Sequence, residues 1–434
     1  MRPNILYIHS HDTGRYTQPF GHAVSTPNMQ RLAEQGVMFR QNYSVGPTCS
    51  PSRAGLLTGM CAHSAGMIGL AHRGFGLFDY SQHLVHTLRR AGYRSTLIGV
   101  QHVASSADMI GYDEVVPLKS HDAVDVAPAA VAFLDAKPSG PFFLSVGFAE
   151  THREYHQAGP ADDERYTLPP APLPDTPETR RDMADYKASV RVLDEGMGRV
   201  FAALERNGLV ENTLVICTTD HGLAFPMMKC NLTQHGIGTQ LIMRGPGGFE
   251  GGRVSDALVS HIDIFPTLCE LLEIDRPDWL QGLSLMPLIR GEAQEINDAV
   301  YAEVTYHAAY EPMRAVRTKR YSYIRRFGPK TTPVLPNLDD SRSKTLWLDS
   351  GWAAHELPAE QLYDLVFDPS ESHNIAGDPT MVGVLGEMRA KLDAWMSRTD
   401  DPLLKGEPVL APKGAVMNDP NGTSPREEPI PAEW

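Results

Sequence analysis

Short apolar segments separated by polar turns recur along the first two thirds of the chain. Four of them have the length and composition of buried parallel strands and stop at or near polar residues: residues 5–8, 95–99, 141–148 and 212–219. Three amphipathic segments of helical period lie between them: residues 26–36, 82–91 and 183–207. This alternation predicts an α/β fold with a mostly parallel sheet covered by helices on both faces.

The pattern changes after Gly291, where shorter alternating strands are followed by one amphipathic helix at residues 381–396. We therefore predict an α/β domain at residues 1–294 and a smaller subdomain with an antiparallel sheet at residues 295–404. Residues 405–434 are rich in proline and charge and have no periodicity. We expect this tail to fray or to lie along a neighbouring subunit of a homo-oligomer.

Composition and charge narrow the classes of partner. The 434 residues are 42% hydrophobic and 21% charged, which is typical of a globular protein. The formal net charge of −14 argues against nucleic acid or an anionic membrane surface as a partner. No apolar stretch reaches the roughly 18 residues of a transmembrane helix. An anionic substrate would require a pocket built from specific cationic side chains.

Cysteine usage and the N-terminus indicate a compartment. The five cysteines are scattered, odd in number and without C-x-x-C spacing, which argues against a disulfide framework or a zinc ribbon. The first residues run directly into polar sequence, without the apolar core of a secretion signal. We therefore expect a complete cytoplasmic protein in a reducing environment.

One segment carries a specific chemical signal: residues 47–59 read PTCSPSRAGLLTG. A free cysteine is most often a small buried hydrophobe, but core packing does not require the spacing of Cys49, Pro51 and Arg53. The segment resembles the sulfatase signature, in which the cysteine of C-x-P-x-R is converted to formylglycine by a formylglycine-generating enzyme. The resemblance implies an alkaline phosphatase-like sandwich with a large central mixed sheet, flanked by helices, and a smaller C-terminal antiparallel-sheet subdomain.

The same resemblance implies a mechanism. One hydroxyl of the hydrated aldehyde at position 49 attacks sulfur, and collapse of the other hydroxyl back to the aldehyde releases sulfate. Arg53, one helical turn beyond Cys49, would hydrogen-bond the diol. The expected reaction is hydrolysis of a sulfate ester or an N-sulfo group on a small anionic sulfated substrate.

A metal site is implied where apolar strands end. Asp12 and the pair Asp220 and His221 occupy positions at which the family places ligands of one divalent cation, with Cys49 beside them. His11 stands where an acidic ligand is usual; it is either a ligand or a strand-end residue bonded to a backbone carbonyl. The resemblance to sulfatases implies Ca²⁺, whereas imidazole ligands favour Mn²⁺ over Ca²⁺. We therefore expect the cation to be one of these two. The Asp-His pair also resembles the phosphonate monoester hydrolase branch of the superfamily.

Three further residues correspond to positions near the sulfate. Residues 92–102 resemble the second sulfatase signature, although Val100 replaces the usual lysine. His102 would bind or deprotonate the formylglycine diol. His152 would serve the leaving group, or is a loop histidine without a role. Lys229 would contact the sulfate, or is a solvated loop lysine.

Later segments extend the resemblance through the C-terminal half, at residues 261–268, 282–288 and 362–374. Residues 218–231 and 311–316 are similar to the heparan N-sulfatase (sulfamidase) branch. Glu303, Tyr306 and His307 lie where the C-terminal subdomain would overhang the pocket, so we consider them for substrate specificity.

Two other functions remain open from sequence. A phosphonate monoester hydrolase or phosphodiesterase would use the same nucleophile, and charge alone does not separate it from a sulfatase, because a phosphodiester and a sulfate monoester both carry one negative charge. A non-catalytic relative would use the pocket only to bind an anion. Val100 and His11 favour this second alternative, and the intact segment 47–59 opposes it.

Overall fold

The computed structural model describes residues 2–406 and 408–432. The strands in these residues are β1 (Asn4–Ser10), β2 (Val37–Tyr43), β3 (Arg94–Gly99), β4 (Glu114–Val116), β5 (Phe142–Gly147), β6 (Thr213–Thr219), β7 (Leu241–Arg244), β8 (Arg253–Ser260), β9 (Val300–Tyr306), β10 (Tyr310–Arg317), β11 (Tyr321–Arg326), β12 (Glu360–Asp364), β13 (Val416–Met417) and β14 (Ile430–Pro431). The α-helices are α1 (Pro27–Gln35), α2 (Cys49–Thr58), α3 (Ala62–Ala65), α4 (Leu84–Arg90), α5 (Ala123–Asp135), α6 (Pro177–Arg206), α7 (Gln234–Ile237), α8 (Ile264–Leu271), α9 (Met286–Ile289), α10 (Arg342–Asp349) and α11 (Val382–Arg398).

Eight strands form the central sheet in the order β4-β3-β5-β1-β6-β7-β2-β8. Only β7 among them runs antiparallel to its neighbours β6 and β2, and the other described pairings are parallel. The four predicted apolar segments form the adjacent strands β3, β5, β1 and β6. The mixed sheet expected from the resemblance is therefore confirmed.

Helices cover both faces of this sheet, as the alternating pattern predicts. Side chains of β1 alternate between two cores: Leu6 and Ile8 pack on one face with residues of α1, α5 and α6. Ile5 and Tyr7 pack on the other face with residues of α2, α4 and α8. Burial on both sides explains why β1 has four consecutive apolar residues at positions 5–8.

The second sheet is antiparallel, in the order β12-β11-β10-β9, and α11 packs against β10 and β11. Strands β9, β10 and β11 match the strands predicted after Gly291, and α11 matches the predicted helix. Helix α6 begins at Pro177, six residues before its predicted start, because Thr176 accepts a hydrogen bond from the Thr179 amide and caps it. Among the described residues, no helix is both long and apolar enough to cross a membrane.

The tail corrects the expectation for residues 405–434. Its described part neither frays nor requires a neighbour, because it packs onto its own chain. Residues Val409, Ala415 and Met417 are buried in the core that also contains α2. The amide of Asn418 donates a 2.7 Å hydrogen bond to the carbonyl oxygen of Ala308. The homo-oligomer expected from sequence and the residue limits assigned to the three regions stay predictions.

Candidate active site

Four adjacent parallel strands end at the same edge of the central sheet and deliver the predicted polar residues there. His11 and Asp12 follow β1, and Asp220 and His221 follow β6; Ser10 and Thr219 are paired in register. His102 follows β3 and His152 follows β5, the strand between β3 and β1. The carboxyl edge of a sheet of this kind is where ligands bind. Asp12 and His102 have φ of 49° and 55°, a left-handed backbone often found at functional sites.

Cys49 is the first residue of α2 and is almost fully buried. Helix α2 lies close to the segment preceding it because Gly55 has no side chain; a Cβ there would lie 2.3 Å from Cγ2 of Val45. The sulfur of Cys49 is 3.3 Å from Nε2 of His221. Burial opposes ionisation of the Cys49 thiol, but Lys229 and His221 outweigh it and hold the pKa well below its usual value.

The expected metal ligands converge beside Cys49. Ligand atoms of His11, Asp12, Cys49 and Asp220 all lie within 4.8 Å of one another. Nδ1 of His11 is 3.1 Å from Oδ2 of Asp220, and Nε2 of His221 is 3.2 Å from Oδ1 of Asp12. The buried atoms His11 Nδ1 and Asp12 Oδ1 have no hydrogen bond of acceptable geometry. Two carboxylates and two imidazoles with such unsatisfied atoms fit a divalent cation.

His221 is held in the orientation that a metal ligand needs. Its Nδ1 lies 3.0 Å from the carbonyl oxygen of Gly222, which can only accept, so Nδ1 carries the proton and Nε2 faces Cys49. Gly222 is required because a Cβ there would lie 1.8 Å from the carbonyl oxygen of His235. Burial alone would lower the pKa of His221, but Asp220 and Asp12 outweigh it and raise the pKa to about 9.

Arg53 lies behind the metal ligands. Its Nη2 donates to Oδ2 of Asp220 at 3.0 Å and to the carbonyl oxygen of Ser10 at 3.1 Å. Its Nη1 is 2.6 Å from Nδ1 of His9, a residue in the polar end of β1 that sequence reasoning did not select. Burial opposes the charge of Asp220, but His221 and Arg53 hold the pKa of this carboxyl well below its usual range. Arg53 thus positions Asp220 and balances its charge.

Lys229 is buried and bridges two carboxylates. Its Nζ donates to Oδ2 of Asp12 and Oδ2 of Asp339, each at 2.9 Å. Burial opposes its charge, but Asp12 and Asp339 outweigh burial and raise its pKa well above the ordinary value. A solvated loop lysine is therefore the wrong description. Asp339 was missed from sequence because it lies in a loop without periodicity before α10.

The histidines form a group on the open side of the site. Nε2 of His102 is 3.0 Å from Nδ1 of His72, and the two rings stack with centroids 5.2 Å apart. The ring of His11 lies 5.7 Å from that of His102 and 5.3 Å from that of His152. His152 is exposed, and its Nδ1 lies 2.6 Å from the carbonyl oxygen of Arg153. The structure therefore brings both predicted histidines to the site and adds His72.

A cavity of about 350 Å³ opens from Cys49. Lys229, His102, His152 and His307 all line it, and burial lowers the pKa of His307. Of the three residues considered for specificity, only His307 lines this cavity. Glu303 instead lies inside the protein, where Oε1 is 2.9 Å from Nδ1 of His63. Tyr306 is fully buried, and its hydroxyl donates to the carbonyl oxygen of Val409 at 2.6 Å.

Known proteins resemble the chain over almost its full length. Human N-sulphoglucosamine sulphohydrolase is 29% identical over 487 residues, covering 98% of this chain and 95% of that protein. An ulvan-active sulfatase of Formosa agariphila is 29% identical over 454 residues, covering 92% of this chain and 76% of that protein.

A solved structure in complex with its substrate D-glucosamine-2-N,6-O-disulfate matches with a TM-score of 0.71 at 19% identity. It covers 92% of this chain and 99% of the other, and at this identity it shows the fold alone. Residues 227–339 match the family described as N-sulphoglucosamine sulphohydrolase, C-terminal. Residues 3–274 match the family described as Sulfatase. The chain therefore belongs to the sulfatase family, whose members are sulfuric ester hydrolases.

Proposed function

We propose that this sulfatase removes a sulfate ester or an N-sulfo group from a sulfated saccharide, with residue 49 acting as formylglycine. One observation carries the proposal: Cys49 begins α2 beside Asp12, Asp220, His11 and His221, at the inner end of a cavity of about 350 Å³. The match of residues 227–339 to the sulphoglucosamine sulphohydrolase C-terminal family supports a saccharide as the substrate.

The donor set suits one divalent cation, held by His11, Asp12, Asp220 and His221 next to residue 49. A cation bound there would act as a Lewis acid toward the oxygen at residue 49 and would offset the negative charge of the sulfate. Because imidazole suits Mn²⁺ better than Ca²⁺, we propose Mn²⁺ as the preferred ion.

As formylglycine, residue 49 supplies a hydroxyl nucleophile and a second oxygen whose collapse to the aldehyde releases sulfate. The side chains around it prepare that chemistry. The N-terminus of α2 favours negative charge at position 49. His102 is placed to accept a proton there, and its hydrogen bond with His72 fixes the orientation of its ring.

The sulfate group needs cationic donors around it as charge develops. Lys229 lines the cavity and is held in place by Asp12 and Asp339, so it is the cation available to the sulfate oxygens. Val100 provides no second cation on the β3 side. His152, exposed at the cavity wall, is placed to protonate the departing oxygen or nitrogen.

A phosphonate monoester hydrolase activity is the second candidate, favoured by the position of His221 beside Cys49 and by Val100. Both substrates would present one negative charge to Lys229. Relative rates on sulfate and phosphonate substrates separate the two candidates.

The test uses the full chain coproduced with a formylglycine-generating enzyme, with Cys49→Ala as the control. The substrates are N-sulfoglucosamine, O-sulfated monosaccharides, an aryl sulfate and an aryl phosphonate monoester. We expect release of sulfate by the parent protein and none above background by the variant. Faster phosphonate than sulfate hydrolysis would favour the second candidate. Binding of sulfate without turnover of any substrate would indicate an anion-binding relative.

We also propose a cytoplasmic location, supported by five cysteines that are all free and buried. Maturation by a formylglycine-generating enzyme in the same cell is part of this proposal. Fractionation of the producing cell, followed by detection of the chain and of its residue 49 aldehyde, tests both statements.

A further inference from the structure

The cavity that opens from Cys49 is larger than a sulfate group requires. At about 350 Å³ it is at the lower end of pockets that hold small organic ligands, roughly 300–1,000 Å³. It also shares His72, His102 and His152 with an adjoining cavity of about 510 Å³. The group that carries the sulfate therefore contacts walls beyond the sulfate site.

Most charged side chains on these walls already have partners of opposite charge. Lys229 is paired with Asp339, and Arg153 makes a two-point contact with Asp182. Arg426 pairs with Glu154 and lies 4.0 Å from Asp340. Lys229 is already assigned to the scissile sulfate, and Arg153 and Arg426, paired in this way, have little net charge to offer a second anionic group.

Arg73 is the exception among the charged residues that line the cavity. In residues 2–406 and 408–432, no carboxylate lies within 4.0 Å of its guanidinium. Its one hydrogen bond is from Nη1 to the carbonyl oxygen of Ala308 at 3.3 Å, and its buried Nε has no partner. Burial lowers its pKa, with no carboxylate acting in the opposite direction. A half-buried cation without a counter-ion favours binding an anion.

The position of Arg73 is fixed relative to Cys49. Arg73 ends a short 3-10 turn, Ala71–Arg73, and the Ala71 amide donates a 3.0 Å hydrogen bond to Oγ of Ser50, the residue after Cys49. The tail packs on the other side of this turn, where a Cβ on Gly74 would lie 2.9 Å from Cα of Ala415. The turn that bears Arg73 is therefore held in a fixed position relative to residue 49.

We propose that Arg73 binds a second anionic group of the substrate, a carboxylate or a further sulfate, while the scissile sulfate lies at residue 49. This rests on the proposed sulfatase function and specifies its substrate class: a saccharide with at least two anionic groups. Arg73 is a specificity-determining residue here and takes no part in breaking the sulfur bond.

The test compares three substrates that share one N-sulfoglucosamine unit. The first has no further anion, the second has an added 6-O-sulfate, and the third is linked to a hexuronate. We expect Arg73→Gln to lower kcat/KM about 10- to 100-fold on whichever of the last two Arg73 binds. The change in kcat/KM on the first substrate, which has no further anion, should be under about twofold. The substrate affected identifies the anion as sulfate or carboxylate.

Two control variants accompany it. Arg73→Lys keeps the charge and should recover part of the lost activity. Arg90→Gln removes the same charge from the exposed last residue of α4, outside the cavity lining, where the guanidinium donates to Oγ1 of Thr87. It should leave the ratios of kcat/KM between the three substrates unchanged. An equal effect of Arg73→Gln on all three substrates, or no effect on any, would overturn the proposal.

A binding measurement keeps this test separate from the proposed function. If the parent protein turns over no sulfated saccharide, the proposed function fails on its own. Calorimetry of the Cys49→Ala protein with the 6-O-sulfated and hexuronate-linked sugars then tests Arg73 directly. Tighter binding of at least one of them than of the first sugar, lost in the Cys49→Ala, Arg73→Gln double variant, supports the inference. Equal affinities would refute it.

Discussion

At the residue scale, Lys229 is a buried cation that lines the same cavity as Cys49. Because it is fixed between Asp12 and Asp339, it can stabilise charge that develops on sulfate without reorganising. We expect Lys229→Met to lower kcat/KM by about 10²- to 10³-fold. Lys229→Arg keeps the charge and should retain most of the activity. Steady-state kinetics on one sulfated substrate check this, and an unchanged kcat/KM in Lys229→Met would remove Lys229 from the mechanism.

His221 determines the preferred cation at the same scale. Replacing its imidazole by the amide oxygen of Asn supplies a harder ligand, which Ca²⁺ prefers. We expect His221→Asn to shift the retained metal from Mn²⁺ toward Ca²⁺ after incubation with equal concentrations of both. Elemental analysis of the desalted proteins measures the ratio. The same ratio in parent and variant would show that His221 is not a ligand.

Residues differ in how far sequence could predict them. Asp12, Asp220 and His221 were predicted because they match the positions of sulfatase metal ligands and because each lies where an apolar strand ends, and the sheet brings such ends together. His72 and Asp339 could not be predicted in this way, because loops without periodicity carry them to the site. Glu303 was wrongly predicted to face the pocket, although its strand was predicted correctly. The face of β9 on which it lies depends on the pairing of β9 with β10.

At the element scale, a buried ionic cluster joins α3 and the segment after α11 to the second sheet. His63 of α3 contacts Glu303 of β9, and Arg314 of β10 makes a two-point contact with Asp401. Burial opposes the charge of Glu303, but His63 and Arg314 outweigh it and hold its pKa at about 2, against 4.5 ordinarily. Because the folded pKa is lowered, this carboxylate stabilises the fold above about pH 4.5, and the contribution is lost as pH falls toward 2.

We therefore expect Glu303→Gln to lower the free energy of unfolding near pH 7 by about 3 kcal/mol, since His63 loses the carboxylate 2.9 Å from its Nδ1 and Arg314 keeps only Asp401. The decline of stability between about pH 4.5 and 2 should become shallower than in the parent. Denaturant unfolding across that range measures both effects. Glu205→Gln, which breaks the exposed pair with Arg31, is the control and should cost less than about 1 kcal/mol. Matching losses in the two variants would contradict the role of the cluster.

The central sheet shows why some elements were predictable and others were not. Strands β1, β3, β5 and β6 are mostly buried along their length, so they read as apolar runs. The edge strand β8 is mostly exposed in its first half and buried in its second half, and it lacks such a run. Its place in the sheet depends on parallel pairing with β2, a long-range contact that no local pattern encodes.

At the scale of the whole molecule, the tail completes the walls of the site. Pro425 and Arg426 line the cavity that contains Cys49, while Val409, Ala415 and Met417 are buried beneath. We expect a chain ending at Lys405 to unfold at lower temperature, because it exposes this apolar surface. Each subunit should lose only the mass of the tail, and the number of subunits in solution should be the same as in the parent protein. Thermal unfolding and light scattering measure the two properties, and an unchanged melting temperature would contradict the packing.

The proposed mechanism of the molecule depends most directly on the chemical state of residue 49. The decisive measurement is tryptic mass spectrometry of the Cys49 peptide from enzyme that is hydrolysing a sulfated substrate, coproduced with a formylglycine-generating enzyme. We expect an aldehyde in place of the thiol, with activity proportional to the modified fraction. A fully active preparation in which Cys49 remains a thiol would contradict the proposed nucleophile.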